Sequence, residues 1–352
     1  MHTSSWTTPT ASGAYDPLAV AFYDIAHEGA QIRAVAQWCE SEQAQQLCML
    51  QPRSVIILCP EHWGRAVARL ALAVAEPMGC PVHISDQLPR FAGSLDVVVA
   101  ISECADHDGL SQSIVTAARR GCHVVVACAP HGHIAADAED VAAIGIPALP
   151  LAQGPSPARV FAVVTAVLRC LDHTVRAAGD ISVELSVSAD HADRELQECS
   201  PERDQLVNPA RQLALLSGRV IHSGRGLVAA SLADTMSALW TAFGRASASI
   251  EAQELEVALP RLEPKEQNIF YDPEFDAPPS SNSELPLHTV LWLSAETVAW
   301  ARSQVSEDTT HERDGVIRML ARGYAATAFL VPQMHKTSRG ILVVEEQLRC
   351  SY

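Results

Sequence analysis

Basic residues are scarce in this chain. Its 352 residues carry 25 Lys and Arg against 41 Asp and Glu, a formal net charge of −16 at pH 7. Nucleic-acid binding rests on clustered cations that neutralise phosphates, and no such cluster occurs, so nucleic-acid partners are excluded. Anionic membrane surfaces go with them, and no apolar run approaches the ~20 residues of a membrane span. The opening MHTSSWTTPTASG has neither the basic end nor the apolar run of a signal peptide, so a cytoplasmic location is expected. No Cys-x-x-Cys pair occurs among the ten cysteines. Cys59, Cys80, Cys122, Cys128 and Cys170 sit among apolar neighbours, which predicts buried reduced thiols. Metal-ligand spacing is missing as well: His131-Gly132-His133 and Asp106-His107-Asp108 have no partner cluster, and no metal is expected. No cofactor is expected either.

What the chain has is alternation. Its length and 48% hydrophobic content suit a large core and two domains more readily than one. Continuous apolar runs at Arg53–Cys59, Pro81–Ser85, Asp96–Ser102 and His123–Ala129 read as strands buried on both faces. Between and after them the apolar spacing predicts helices over Arg65–Ala75, Leu110–Arg120 and His133–Ile144, then a long helix over Ala158–Ala178. Strand–helix alternation implies an α/β fold with a doubly wound parallel sheet. Residues 179–207 turn acidic and polar and read as a linker with one short helix. A second unit opens with NPARQLALLSGRVIHSGRG, followed by a helix over LVAASLADTMSALWTAFG and strands ASIEA and TVLWLS. The expected division is a tail over 1–22, a first domain over 23–178, the linker over 179–207 and a second domain over 208–352. The matching order of elements suggests an ancient duplication.

The run DVVVAIS, its loop SECADHDG, the helix ending Ala-Arg-Arg-Gly and the strand HVVVACA resemble the middle of a sugar isomerase (SIS) domain in order and spacing. NPARQLA resembles the segment that opens the second domain in the bifunctional phosphoglucose/phosphomannose isomerases, and PKEQNIFYDPEFD places the chain near the TobH-type variants. The resemblance implies two SIS-type, flavodoxin-like domains and a sugar phosphate held by hydroxyls and backbone N–H groups at a helix N-terminus. It implies a homodimer too, for which the apolar helices Arg65–Ala75 and Ala158–Ala178 offer surface.

Departures from that family are concentrated in its sites. The family loop reads Ser-x-Ser-Gly-x-Thr, and here Ser102 fits while Cys104, Ala105, Asp106 and His107 stand at the other matched positions. The glycine-rich turn after the first strand becomes Cys59-Pro60-Glu61-His62-Trp63-Gly64, which replaces permissive backbone with Pro and Trp. The His-Asn-Glu run of the family matches Pro264-Lys265-Glu266, so the resemblance implies Glu266 as the proton-shuttling base without its histidine. The C-terminal histidine matches Ala321. Sugar-phosphate contacts are expected at Ser102, Cys104, Gly224, Arg225 and Gly226. The functional expectation is a divergent sugar-phosphate binder with a degenerate aldose–ketose isomerase site. One alternative is a non-enzymatic regulatory or scaffolding subunit. Another is an NAD(P)-binding oxidoreductase, because Gly224-Arg225-Gly226-Leu227-Val228-Ala229 reads G-x-G-x-x-A between strand and helix, with Glu251 near the end of the next strand.

Overall fold

The computed structural model describes residues 16–75, 77–149, 154–172, 178–262, 286–305 and 312–330. Three helices precede the first strand: α1 (Pro17–Ile25), α2 (Glu28–Trp38) and α3 (Glu42–Cys48). Each of α1 and α3 starts at a side-chain cap, Asp16 and Ser41, whose oxygen accepts an N–H of the first turn. The first sheet follows, with β1 (Ser54–Leu58), β2 (Val82–Ser85), β3 (Asp96–Ser102), β4 (His123–Cys128) and the short β5 (Ile144–Gly145). All pairings are parallel, as the apolar runs predict, and the order is β2-β1-β3-β4-β5; the helix expected over His133–Ile144 ends at Asp140 and Ile144 joins β5. Every residue of β1 and β3 is buried because the sheet is covered twice. Val55, Ile57, Val97 and Val99 face the central core with α4 (His62–Ala75) and α7 (Pro157–Leu171). Ile56, Leu58, Val98 and Ala100 face the opposite way, against α5 (Asp108–Arg119) and α6 (His133–Asp140).

After α7 comes a helix in the stretch whose polarity reads as a linker. It is α8 (Ala178–Glu198), 21 residues long. Ile181, Leu185, Ala189, Ala192 and Leu196 are buried at helical spacing, so its polar composition conceals one narrow apolar stripe. The single long helix expected over 158–178 ends at Leu171. On the buried side of α8, Glu195 accepts from Arg318 Nε at 2.9 Å and Arg322 Nε at 2.6 Å.

The second unit contains α9 (Pro209–Ala214), β6 (Arg219–Gly224), α10 (Gly226–Ala242), β7 (Ser247–Glu251), α11 (Ala252–Leu262), β8 (Leu287–Trp292), β9 (Arg302–Gln304) and α12 (Glu312–Ala328). Asn208 caps α9 through the N–H of Arg211, and its amide also donates to Cys199 and Ser200 carbonyls, which fixes the entry to the unit. The sheet is again parallel, in the order β7-β6-β8-β9. Helices α10 and α12 lie on its inner face, where Met236, Leu239, Trp240, Trp292, Leu320 and Tyr324 join the same core as the first sheet. The two units thus share one core through α4, α7, α8, α10 and α12. Nearly all of α7 is buried there, as is the apolar face of α4, so the helices expected to serve a dimer contact are spent inside the chain.

Candidate functional site

In a parallel sheet the strand ends and helix N-termini meet at one edge, where an anion finds orphan N–H donors. In the first unit that edge is polar and its groups are engaged with one another, beside a cavity of about 410 Å³ lined by Pro60, Asp86, Leu88, His107, Gly109 and Arg120. Ser102, at the end of β3, donates to Glu61 Oε1 at 2.6 Å and accepts from Cys104 N–H at 3.0 Å, so its hydroxyl is engaged on both sides. Next to it, Arg159 of α7 is fully buried. Its guanidinium pairs with Glu103 at 3.0 Å and donates to the Pro147 and Ile146 carbonyls. Burial pushes the Glu103 carboxyl up, against the opposing pull of Arg159.

Three of the helix N-termini at this edge are held by the chain's own side chains. The Leu110 N–H of α5 donates to His107 Nδ1 at 3.1 Å. The His133 N–H of α6 donates to Asp106 Oδ1 at 3.0 Å. At α7 the Ala158 N–H donates to Glu28 Oε2 at 2.6 Å, and the Ser156 hydroxyl donates to Glu28 Oε1 at 2.5 Å. Glu28 comes from α2 and is buried; that burial drives its pKa up to about 8 in spite of these two bonds. Asp106 therefore acts as a remote cap more than as a charge facing an anion. Gly132, at φ +86°, passes so close to Asp106 and the Ala105 carbonyl that a Cβ would not fit.

At the turn after β1, the Arg65 guanidinium donates to the Cys59 and Pro60 carbonyls, and a Cβ on Gly64 would stand 2.5 Å from Cys59 Sγ. Trp63 is buried in the shared core. The Pro-and-Trp turn is thus tied to the body of the protein on both sides.

The matching turn in the second unit is built differently. A Cβ on Gly224 would collide with the Ala229 carbonyl and stand 2.7 Å from Ala230 N, so glycine lets α10 start tight against β6. Gly226 has φ +78° and open space where a side chain would be. Arg225 occupies the N-cap position with no side-chain cap on α10. Its guanidinium reaches sideways to Glu256 at 2.6 Å and Glu296 at 3.2 Å. Glu251 pairs in register with Gly224 at the end of β7 and is exposed, the position a ribose-binding acid would take.

The structure brings Ser102 and Cys104 together at the first edge and Gly224, Arg225 and Gly226 together at the second. Glu266 lies outside the described residues. Ala321, matched to the family's histidine, is buried on α12 in the core, and the neighbouring Tyr324 donates its hydroxyl to the Pro155 carbonyl at 2.6 Å. Glu28, Glu61 and Arg159 were not singled out by the sequence. A charged residue in an apolar helix ordinarily reads as solvated; Arg159 in PARVFAVVTAVL is the one such position with a detectable signal, a lone cation opening an otherwise apolar helix.

No protein-family model matches the chain, and no curated protein matches it. Solved structures do. Tagatose-6-phosphate ketose/aldose isomerase from Escherichia coli is similar at a TM-score of 0.61 and 13% identity, over 92% of this chain and 95% of that one. The C-terminal domain of glucosamine-fructose-6-phosphate aminotransferase from Francisella tularensis gives 0.59 and 10% over 92% and 97%. Glucosamine-6-phosphate deaminase from Thermotoga maritima gives 0.54 and 7% over 87% and 92%. At these identities the likeness is one of fold, and with the two parallel sheets of five and four strands it establishes an α/β chain of two SIS-type, flavodoxin-like units.

Proposed function

We propose that this chain is a divergent sugar-phosphate-binding protein of the phosphoglucose/phosphomannose isomerase type, with its isomerase site degenerate and its anion contact moved to the second unit. One observation carries the reading: α5, α6 and α7 have an N-terminal N–H held by His107, Asp106 and Glu28, while among the described residues no side chain is seen to hold an N–H at the start of α10. A phosphate at the Gly224-Arg225-Gly226 turn would take the free N–H groups of α10 and draw Arg225 from its two carboxylates. Support for sugar phosphates as the ligand class comes from the similar structures, which act on them by name. The shared core in place of a histidine at Ala321 supports the loss of catalysis, with Glu266 the residue the family resemblance implies as base. A regulatory role as a cytoplasmic homodimer fits this reading, its contact using faces other than α4 and α7.

The test is calorimetric titration with glucose 6-phosphate, mannose 6-phosphate, ribose 5-phosphate and NADP. Hexose phosphate binding that weakens on Arg225→Gln and is indifferent to Ser102→Ala is expected, with turnover far below the ~1 per second of working enzymes. Binding lost on Ser102→Ala instead would return the site to the first unit. Turnover abolished by Glu266→Gln would restore the enzyme. NADP binding without hexose phosphate binding would favour the dinucleotide alternative, and a monomer by light scattering would remove the dimer.

A further inference from the structure

The cavity of about 410 Å³ beside the first strand edge is a groove with two walls. Gly109, Gln112, Thr116 and Arg120 line it at helical spacing, so it follows one side of α5 for about 16 Å at ~1.5 Å per residue. The other wall is the segment after β2, with Asp86, Gln87 and Leu88, and Pro60 of the turn after β1 stands at the strand end. The strand order turns back between β1 and β3, and the helices that follow them, α4 and α5, lie on opposite faces of the sheet. Parallel sheets bind ligands at such a point.

The lining selects an uncharged ligand. It carries one carboxylate, Asp86, and one guanidinium, Arg120, which is held to the Pro89 carbonyl at 3.1 Å. His107 accepts the Leu110 N–H on Nδ1, so its proton rests on Nε2 and the ring adds a donor without a charge. Length and shape narrow the class further, because a single sugar ring would leave most of the groove empty. Asp86 directly follows β2, the place where nucleotide-binding parallel sheets keep an acid for the hydroxyls of a ribose. The Ser85 hydroxyl stands 3.5 Å from one of its oxygens, at the limit of a hydrogen bond, which leaves the carboxylate open to a ligand. A dinucleotide does not fit, since Pro60, its carbonyl taken by Arg65, replaces the glycine backbone that a pyrophosphate needs. We propose that this groove binds an uncharged purine nucleoside, its ribose diol on Asp86 and its base laid along α5 between Leu88 and Thr116. The amides of Gln87 and Gln112 each offer a donor and an acceptor, the pair that a purine edge matches. The site is independent of the proposed sugar-phosphate turn, which lies on the other sheet.

The experiment is calorimetric titration of the full chain with adenosine and guanosine, alongside their 2′-deoxy forms, cytidine, glucose and AMP. Binding of a purine nucleoside is expected, weakened at least about tenfold by loss of the 2′-hydroxyl and by Asp86→Ala, and abolished by Gln112→Trp, which fills the groove. Both positions are exposed, so neither substitution threatens the fold. Hexose phosphate binding should be unchanged in both variants, so that a failure of this site and a failure of the sugar-phosphate turn read separately. No purine nucleoside binding at ~10 mM, or equal binding of ribose and deoxyribose forms, would overturn the proposal. So would cytidine or glucose bound as tightly as adenosine, AMP bound more tightly than adenosine, or binding that survives both substitutions.

Discussion

The two units turn from strand to helix in opposite ways. In the first, the edge is stoppered by remote side chains, and it keeps a carboxyl, Glu28, buried and protonated near neutrality. In the second, the turn is bare glycine backbone, and the buried titratable group sits inside the sheet: His222, stacked on Trp292 and edge-on to Trp240. Trp292 Nε1 donates to His222 Nδ1 at 3.2 Å, and burial depresses the imidazole pKa to about 3. An indole N–H only donates, so Nδ1 is the acceptor and the proton rests on Nε2. The first unit thus buries a neutral acid and the second a neutral base, and the same frame carries opposite responses to pH.

The largest expected effect tests that opposition. Glu28 is raised from 4.5 to about 8, so the unfolded chain releases its proton first; the stability it contributes is complete below about pH 4.5 and is lost as pH rises through about 8. His222 is lowered from 6.5 to about 3, so the unfolded chain takes up a proton first, and stability is lost as pH falls from about 6.5 towards 3. Each limb amounts to roughly 5 kcal/mol at most. Urea denaturation across pH 4–9 should show the alkaline decline disappear in Glu28→Gln and the acid decline flatten in His222→Gln. Identical slopes in native and variant proteins would break the comparison.

The glycines of the two turns give a smaller contrast. At Gly224 a methyl meets rigid backbone, and Gly224→Ala is expected to cost about 3 kcal/mol. At Gly64 it meets only the Cys59 thiol, a side chain that can rotate, and Gly64→Ala should cost about 1 kcal/mol. Equal losses in denaturation would mean that the first turn is as rigid as the second. The smallest effect is expected at Asp106, which is half exposed: Asp106→Asn keeps an oxygen for the His133 N–H and should change stability by less than about 1 kcal/mol. It should not open the loop to phosphate, since His107 still holds α5. Micromolar hexose phosphate binding gained by Asp106→Asn alone would show that charge, and not occupancy, keeps the anion out.

The frame was legible because apolar content dictates it. DVVVAIS and HVVVACA can only be strands covered on both faces, and the parallel order follows from the helices between them. Helix α8 was obscured because its stripe is narrow and partly alanine amid SADHADRELQE, so that composition spoke louder than spacing. The loop at Ser102 was visible as a departure from a pattern, and the turn at Gly224 as a match to one. Glu28 escaped because no sequence pattern says that a charge 130 residues away will cap a helix, and Arg159, though visible as a lone cation opening an apolar helix, escaped because such a cation ordinarily reads as solvated.

Helix α8 carries a last consequence. Glu195 is sealed under two arginines of α12, and the apolar stripe of α8 feeds the core that both sheets share. A connector of this kind leaves no hinge among the described residues of α8. The halves cannot rock about it to open a cleft, nor melt one after the other, since loosening either strips apolar cover and a buried charge pair from its neighbour. The chain should unfold in one cooperative step, and a gene cut between residues 178 and 208 should yield two fragments that need each other to fold.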